Sequence, residues 1–244
     1  MTSAGELPPA RPISDTFNDS PTDGNPSVSN LQQRAEQMMA EHGFLGVPTP
    51  TFEHAGREQM LTLLQAGLLP ESRVLEIGCG CLRIAYWLVR FLDADGYCGI
   101  EPARTRVDLG LNYLFTAEEI ACKRPRFSDN ANFDTSVFNT RFDYFVARSI
   151  WTHASKAHIE TTLDGFVRDT GDNGVFLASY LPAQTAEEDY QGDAWVGTSH
   201  ESSVPGVVRH SLPWLIAQCE RRGLRVEPLD GLDCDSQYWL KLSK

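Results

Sequence analysis

The glycine-rich stretch VLEIGCGCLR occupies residues 74–83, and YCGIEP follows it at residues 97–102. Each stretch opens with a short apolar run and reaches a carboxylate, Glu76 in the first and Glu101 in the second. The pattern predicts a strand, a tight glycine turn, a helix and a second strand. Glu101 lies 21 positions after Gly80, about the separation at which such a unit returns to the same sheet edge and presents an acid to a ribose. The two stretches therefore predict a pocket for a nucleoside cofactor.

The position of Glu76 discriminates between two kinds of cofactor. It comes two residues before Gly78, where a dinucleotide would place its pyrophosphate against the turn and the following helix. A carboxylate there repels a pyrophosphate but suits the ammonium and sulfonium groups of S-adenosylmethionine. The dinucleotide fingerprint also has a third glycine where this chain has Arg83. These residues favour S-adenosylmethionine, provided that Glu76 is not simply a surface acid.

Val74–Gly80 resembles the first motif of the class I S-adenosylmethionine-dependent methyltransferases, and Tyr97–Pro102 resembles the second. The similarity extends, more weakly, from about Arg73 to the C-terminus. The run GCGCLR is similar to a bacterial subgroup of these enzymes with Leu-Arg after the turn. The family often has a third glycine at the position of Leu82, but the two glycines present still supply backbone freedom and close approach.

The resemblance implies methyl transfer from S-adenosylmethionine to a small-molecule or glycan-like acceptor. Glu101 is expected to accept both ribose hydroxyls, the alternative being an acid that caps the helix after Pro102. Asp129 and Asn130 follow the third strand, where the resemblance implies contacts to adenine, although Ser-Asp-Asn is also a turn signature. The full set of expected cofactor-binding residues is Glu76, Gly78, Cys79, Gly80, Glu101, Pro102, Asp129, Asn130 and Ser149.

The fourth strand ends in ARSIWTH, residues 147–153. Because ligands bind at the carboxyl ends of strands in open α/β sheets, Ser149 is expected to line the cofactor there. His153 titrates near neutrality and is the expected general base for an acceptor hydroxyl. The alternative is that His153 caps the helix beginning at Ser155 or packs structurally. His200 and His210 are further candidates for the base.

The chain divides into three predicted parts. Residues 1–28 are rich in small polar residues and proline and are expected to be disordered, because they cannot bury enough apolar surface to offset ordering. Residues 29–72 are expected to form a helical cap, and residues 73–244 the cofactor domain, with a substrate-side lid at about residues 182–211. The second cap helix is predicted to have an apolar face formed by Met60, Leu61, Leu63 and Leu64.

Strand and helix patterns alternate through the cofactor domain. This alternation predicts a doubly wound, mainly parallel α/β sheet. The last two strands are joined by a segment too short for a crossover helix, so they are expected to pair antiparallel. A seven-stranded sheet with one reversed strand is also what the resemblance implies. The predicted strands are Arg73–Ile77, Tyr97–Glu101, Arg126–Asp129, Tyr144–Ala147, Val175–Tyr180, Arg225–Leu229 and Tyr238–Leu242.

Composition argues against several other classes of function. The net charge is −12 and no basic stripe interleaved with aromatic residues occurs, which disfavours a nucleic-acid partner. The six cysteines form no Cys-x-x-Cys pair and no Cys/His ligand spacing, so we expect a reducing cytoplasm and no metal site. No apolar run approaches the roughly 18–20 residues of a membrane span. The N-terminus also lacks the pattern of a signal peptide.

Two other functions stay open at this point. A nicotinamide-dependent oxidoreductase has a similar sheet, although Glu76, Arg83 and the antiparallel C-terminal pair oppose it. A non-catalytic scaffold protein that keeps the fold and the cofactor pocket is also compatible, because no residue in the sequence is diagnostic of turnover.

Overall fold

The computed structural model describes residues 30–43, 49–198, 202–231 and 236–244. The predicted tail (residues 1–28), His200 and Cys234 lie outside these ranges. The helices are α1 (Asn30–His42), α2 (Phe52–Gln65), α3 (Ala85–Phe91), α4 (Arg104–Leu114), α5 (Ala117–Lys123), α6 (Lys156–Asp169) and α7 (Leu212–Glu220). The strands are β1 (Val74–Ile77), β2 (Tyr97–Ile100), β3 (Arg126–Ser128), β4 (Phe142–Ala147), β5 (Thr170–Tyr180), β6 (Arg225–Pro228) and β7 (Tyr238–Ser243).

The seven strands form one sheet in the order β3-β2-β1-β4-β5-β7-β6. Strands β1 to β5 pair in parallel, whereas β7 runs antiparallel to both β5 and β6. This confirms the predicted doubly wound sheet with one reversed strand. Strand β5 begins at Thr170 rather than at Val175, since pairing with β4 resumes beyond a register shift between Phe142 and Tyr144.

Side chains of β1 alternate between two helical layers, as the two-residue period of a strand requires. Val74 belongs to a core shared with α1, α2, α3 and α4. Leu75 and Ile77 belong to a second core, shared with α6 and α7. Glu76 follows Val74 in this alternation, so its carboxylate lies on the side of α1 to α4.

Helix α2 buries a different face from the predicted one. Met60 and Leu63 are buried, but Leu61 is 50% exposed and Leu64 is 37% exposed, so their predicted place in the core is wrong. The helical repeat of 3.6 residues explains the difference, because residues three or four apart share a face. The buried stripe runs through Phe52, Ala55, Gly56, Gln59, Met60 and Leu63.

Helix α5 was not predicted. Its N-terminus has a capping box, in which Thr116 accepts from the Glu119 amide and the Glu119 side chain accepts from the Thr116 amide. Across the described ranges, no helix has the length and apolar character needed to cross a membrane.

Candidate functional site

The first glycine turn is held against the end of β2. The amides of Gly78 and Cys79 both donate to the Ile100 carbonyl, at 2.8 and 3.0 Å. Gly78 has a φ of 73° and Gly80 a φ of 51°, in the left-handed region that favours glycine. A Cβ atom on Gly78 would lie 2.1 Å from Ile150 Cδ1, whereas no described atom lies within 4 Å of the corresponding point on Gly80. The turn is thus packed at its first glycine and open at its second.

Leu82 occupies the position where the resemblance leads one to expect a third glycine. Its φ is 67°, a conformation that costs a non-glycine residue about 1–2 kcal/mol. The side chain is completely buried, and this burial stabilises the fold by about 1.5–3 kcal/mol. Gly110 on α4 makes room for it, since a Cβ there would lie 2.7 Å from Leu82 Cγ. A glycine on the facing helix therefore compensates for the leucine in the turn.

Glu101 connects the glycine turn to α4. Its Oε2 accepts from the Gly80 amide and its Oε1 accepts from the Ala103 amide, both at 3.0 Å. Arg106 Nη1 lies 3.9 Å from Oε1. The helix-capping alternative is thus present, yet each carboxylate oxygen has a second lone pair for another donor. Binding of ribose by Glu101, with Pro102 beside it, stays a prediction.

Glu76 is buried rather than a surface acid, with a relative exposure of 5%. The Tyr97 hydroxyl donates to Glu76 Oε2 at 2.5 Å. Burial raises the pKa of Glu76 to about 8, although Tyr97 and the positive charge of Arg83 both act to lower it. This carboxyl is therefore largely protonated near neutral pH, next to the glycine turn.

The Cys79 side chain packs the glycine turn against β2. Its Sγ lies only 2.8 Å from the point where a Cβ on Gly99 would be, so the thiol packs directly over that glycine. Burial raises the pKa of Cys79 well above its usual range, and the carboxylates of Glu76 and Glu101 add to this effect. The thiol is therefore protonated and packs as a small apolar group.

Two buried donors, one on α2 and one on α3, were not predicted from the sequence. Among the described residues, Gln59 Nε2 and Trp87 Nε1 have no hydrogen-bond partner. Helix α2 approaches closely here, since a Cβ on Gly56 would lie 2.9 Å from Trp87 Nε1 and 3.0 Å from the Arg83 carbonyl oxygen. Buried donors without acceptors are costly and uncommon, which marks them as groups that a ligand can satisfy. No sequence pattern links them, because they lie on two different helices that pack on each other.

Ser149 lies just beyond the carboxyl end of β4, with a φ of 58°. Its amide donates to Ser179 Oγ at 2.7 Å, and its hydroxyl contacts Thr152 Oγ1 at 3.0 Å. Gln237 Nε2 donates to Ser149 Oγ at 2.9 Å, while Ser179 Oγ donates to Gln237 Oε1 at 2.7 Å. This network fastens the ends of β4, β5 and β7 to one another. Contact of Ser149 with a cofactor stays a prediction.

His153 is enclosed by the segment predicted to be a lid. Its Nδ1 lies 2.7 Å from the Val196 carbonyl oxygen, and its ring stacks on Trp195 with centroids 5.6 Å apart. Burial lowers the pKa of His153, partly opposed by hydrogen bonds to the backbone of Val196 and Gly206. The ring is therefore neutral near pH 7, as a general base must be.

His158, and not His153, takes part in capping the helix that begins after Ser155. Its Nδ1 accepts from the Ser155 amide at 3.2 Å, and its own amide donates to Ser155 Oγ at 3.3 Å. His210 is completely buried, with Nε2 3.0 Å from the Ala154 carbonyl oxygen. Its ring therefore has no exposed surface that a methyl acceptor could contact.

The loop after β3 is organised by Asn130. Its Nδ2 donates to Ser128 Oγ at 3.0 Å and to the Asp134 carbonyl at 3.1 Å. Its Oδ1 accepts from the Asp134 amide at 3.0 Å. These bonds agree with the alternative interpretation of Ser-Asp-Asn as a turn. Asp129 is exposed. Adenine contacts by Asp129 and Asn130 stay predictions.

Within the stretch 182–211, Asp189 is the main attachment point. Its Oδ2 accepts from Lys156 Nζ at 2.7 Å and its Oδ1 accepts from the Ser211 amide at 2.9 Å. The Val196 and Val208 amides also donate to the segment after β4. These bonds place the stretch directly over the carboxyl end of β4.

Comparison with known proteins rests on structure. No protein-family profile matches the chain, and no curated protein matches it in sequence. Magnesium protoporphyrin IX methyltransferase from Synechocystis, with bound S-adenosylhomocysteine, has a TM-score of 0.57 at 11% identity, over 87% of this chain and 93% of that one. A DhpI–S-adenosylhomocysteine complex has a TM-score of 0.56 at 14% identity, over 87% and 92%. The glycopeptide N-methyltransferase MtfA has a TM-score of 0.55 at 13% identity, over 77% and 89%.

Similarity at such low identity establishes the fold and not the substrate. By their names, these proteins act on acceptors as different as a porphyrin and a glycopeptide. The ladder of parallel strands, the reversed β7 and the glycine turn after β1 agree with this likeness along most of the chain. The chain has the fold of the class I S-adenosylmethionine-dependent methyltransferases.

Proposed function

We propose that the chain is an S-adenosylmethionine-dependent methyltransferase that acts on a small-molecule acceptor, at oxygen. The observation that carries this proposal is the bond between the Gly80 amide and Glu101 Oε2. It joins an open glycine turn to an acid at the end of the neighbouring strand, the arrangement that a ribose bound beside that turn requires.

The described residues fit this cofactor. Gly80 leaves open space over the turn, and an ammonium group bound beside the buried Glu76 would stabilise the charged form of its carboxyl. The unsatisfied donors of Gln59 and Trp87 suit a carboxylate. An amino-acid end carries both an ammonium and a carboxylate, so the acid and the two donors match its two charges. A dinucleotide has no group for Glu76 to attract.

Several of the expected residues have a stated role in this proposal. When bound, S-adenosylmethionine supplies a methyl group made susceptible to displacement by the positive sulfur. Glu101 would hold the ribose hydroxyls, while the amides of Gly80 and Ala103 fix its orientation. Binding of the cofactor beside the strand ends would be completed by Asp129, Asn130 and Ser149.

His153 is the proposed base. With Nδ1 donating to Val196, its Nε2 would accept the hydroxyl proton of the acceptor as the bond from oxygen to the methyl carbon forms and the bond from sulfur breaks. The protein's larger contribution is to orient the acceptor oxygen, which alone supplies several kcal/mol. Residues 182–198 and 202–211 would shield the acceptor from water.

Titration calorimetry with S-adenosylhomocysteine tests the site through Glu101→Gln. The variant should bind at least about tenfold more weakly, because charge-assisted hydrogen bonds contribute about 1.5–3 kcal/mol each. Glu71→Gln, an exposed acid in the turn before β1, is the matched control and should bind like the wild type. Equal affinity of the Glu101→Gln variant and the wild type would overturn the assignment of Glu101.

The two alternative functions, a nicotinamide-dependent oxidoreductase and a non-catalytic scaffold, can each be distinguished from a methyltransferase. An all-parallel nicotinamide domain has no counterpart of the reversed β7. A non-catalytic scaffold would bind the cofactor without transferring its methyl group. Transfer of tritium from methyl-labelled S-adenosylmethionine to a small molecule in a cell extract supports the enzyme, and its absence supports the scaffold.

A further inference from the structure

We propose that the acceptor of this enzyme is a flat, neutral aromatic alcohol, bound against a cluster of four rings at the carboxyl end of β4. The cluster comprises Phe133, His153, His158 and Trp195, and is called the ring cluster below. The proposal rests on the methyltransferase function proposed above and adds the substrate class.

The four rings come from separate parts of the chain. Phe133 follows β3, His153 follows β4, His158 lies in the first turn of α6, and Trp195 lies in the stretch 182–211. Trp195 is nearly parallel to His153, at 24° and 5.6 Å between centroids, and to Phe133, at 28° and 6.3 Å. His158 lies 5.5 Å from Phe133 and 6.2 Å from Trp195. Three loops and a helix thus converge on one aromatic surface.

This arrangement differs from that of the core rings. Phe145, Phe166 and Phe176 are completely buried, and Phe145 packs edge-on against the other two at 5.4 and 5.7 Å. Every residue of the cluster is partly exposed, and its two nearly parallel pairs have centroids 5.6 and 6.3 Å apart. Partly exposed rings at this spacing offer aromatic surface against which another flat ring can pack.

The backbone at Phe133 gives independent support. Its φ is 57°, in the left-handed region that a bulky residue rarely adopts. Strain of this kind is concentrated at functional sites, where it holds a side chain in a required orientation. Here it directs Phe133 toward Trp195 and His158.

The surroundings favour a neutral and apolar ligand. Val204 and Val207, in the same stretch as Trp195, are 56% and 53% exposed. The charge of Lys156 is compensated by Asp189, 2.7 Å away. The ring of His153 is itself neutral and is the proposed acceptor of a hydroxyl proton. An aromatic alcohol matches the flat faces, the apolar rim and the imidazole together.

The sheet order places three of the four rings away from the ribose site. Glu101 follows β2, whereas His153 and His158 follow β4 and Trp195 follows β5, on the other side of β1. Phe133 follows β3, on the same side of β1 as Glu101. Because most of the ring cluster lies on the β4 side, we assign it to the acceptor and not to the cofactor's adenine. An adenine contact is the competing outcome that the experiment must distinguish.

The experiment compares 1-naphthol with its saturated counterpart decahydro-1-naphthol, by ligand-observed NMR titration of the full chain saturated with S-adenosylhomocysteine. Stacking on two rings should make 1-naphthol bind about tenfold more tightly. Equal binding of the two probes, or no binding of either, overturns the proposal without requiring any variant to fold.

Variants then locate the site. Trp195→Leu should weaken 1-naphthol binding about tenfold, while Trp195→Phe retains a ring and should stay within about threefold. Trp214→Leu, a partly exposed tryptophan on α7, is the matched control and should not change it. S-adenosylhomocysteine affinity should be the same in all of them. A loss of S-adenosylhomocysteine affinity in Trp195→Leu would assign the cluster to adenine and overturn the proposal. If the wild type does not bind S-adenosylhomocysteine, that result contradicts the proposed function itself, before any probe is added.

Discussion

At the scale of single residues, Glu76 makes the stability of the protein depend on pH. Its pKa rises from 4.5 to about 8 on folding, so the folded protein keeps a proton that the unfolded chain releases. The contribution of the bound proton to the free energy of unfolding is therefore complete below about pH 4.5. It declines as the pH rises and is lost above about pH 8. Each pKa unit corresponds to about 1.4 kcal/mol, so the loss across this window is on the order of 4 kcal/mol.

Glu76→Gln should remove this dependence. The amide is neutral at every pH and its oxygen can still accept from Tyr97. Urea unfolding between pH 5 and pH 8 should therefore show the wild type losing stability relative to the variant. Glu71→Gln, at an exposed site, should follow the wild type. Parallel pH profiles of the wild type and Glu76→Gln would show that Glu76 titrates normally.

His153→Ala should lower the rate of methyl transfer to a hydroxyl acceptor about 10²- to 10⁴-fold, the usual contribution of a general base. Because burial lowers the pKa of His153, the acid limb of the wild-type rate should lie below pH 6.5. Transfer of tritium from labelled S-adenosylmethionine measures both effects. His54→Ala, on the exposed side of α2, should leave the rate unchanged. A rate unaffected by His153→Ala would assign the histidine to packing alone.

At the scale of secondary-structure elements, α4 supports the glycine turn through Gly110. A Cβ there would lie 2.6 Å from the Cys81 carbonyl oxygen, and rigid backbone cannot yield as a side chain can. Gly110→Ala should destabilise the protein by about 1–3 kcal/mol and weaken S-adenosylhomocysteine binding. In Gly171→Ala, no described atom lies within 4 Å of the new methyl group, so both quantities should stay near wild type. Urea unfolding and calorimetry measure them. Similar results for the two variants would contradict the proposed support.

The strands were predictable because each is a short apolar run bounded by turn residues. Helix α5 was missed although Thr116 and Glu119 have the spacing of a capping box, since its seven residues bury no side chain completely. The wrong face of α2 has a different cause. Leu61 and Leu64 are as apolar as Leu63, and the packing of α2 against α1 and α3 determines which leucine is buried.

The candidate site was predictable where its residues are close in sequence or repeat at a fixed spacing. The glycine turn and Glu101 are of this kind. Gln59, Gly110 and Gln237 are not, because each reaches the site through packing: of α2 on α3, of α4 on the turn, and of β7 beside β5. Leu82 shows the same limit, since its tolerance depends on a glycine 28 residues later.

At the scale of the whole molecule, Asp189 fastens residues 182–211 to α6 and α7. Asp189→Asn removes the charge that holds Lys156 and should lower the local opening free energy by about 1–3 kcal/mol. Hydrogen exchange of residues 187–198 and 208–211 should then be about 5- to 100-fold faster, while β1 and β4 keep their protection. Asp193→Asn, exposed in the same stretch, is the control. Unchanged exchange in Asp189→Asn would show that other contacts hold the stretch.

The proposed function depends on one cofactor site, where the turn after β1 meets the acid after β2. Calorimetric titration of the wild-type protein with S-adenosylhomocysteine, and separately with NADH, tests it most directly. Micromolar binding of S-adenosylhomocysteine, with no heat of binding for NADH, is the expected result. Binding of NADH alone, or of neither compound, would contradict it.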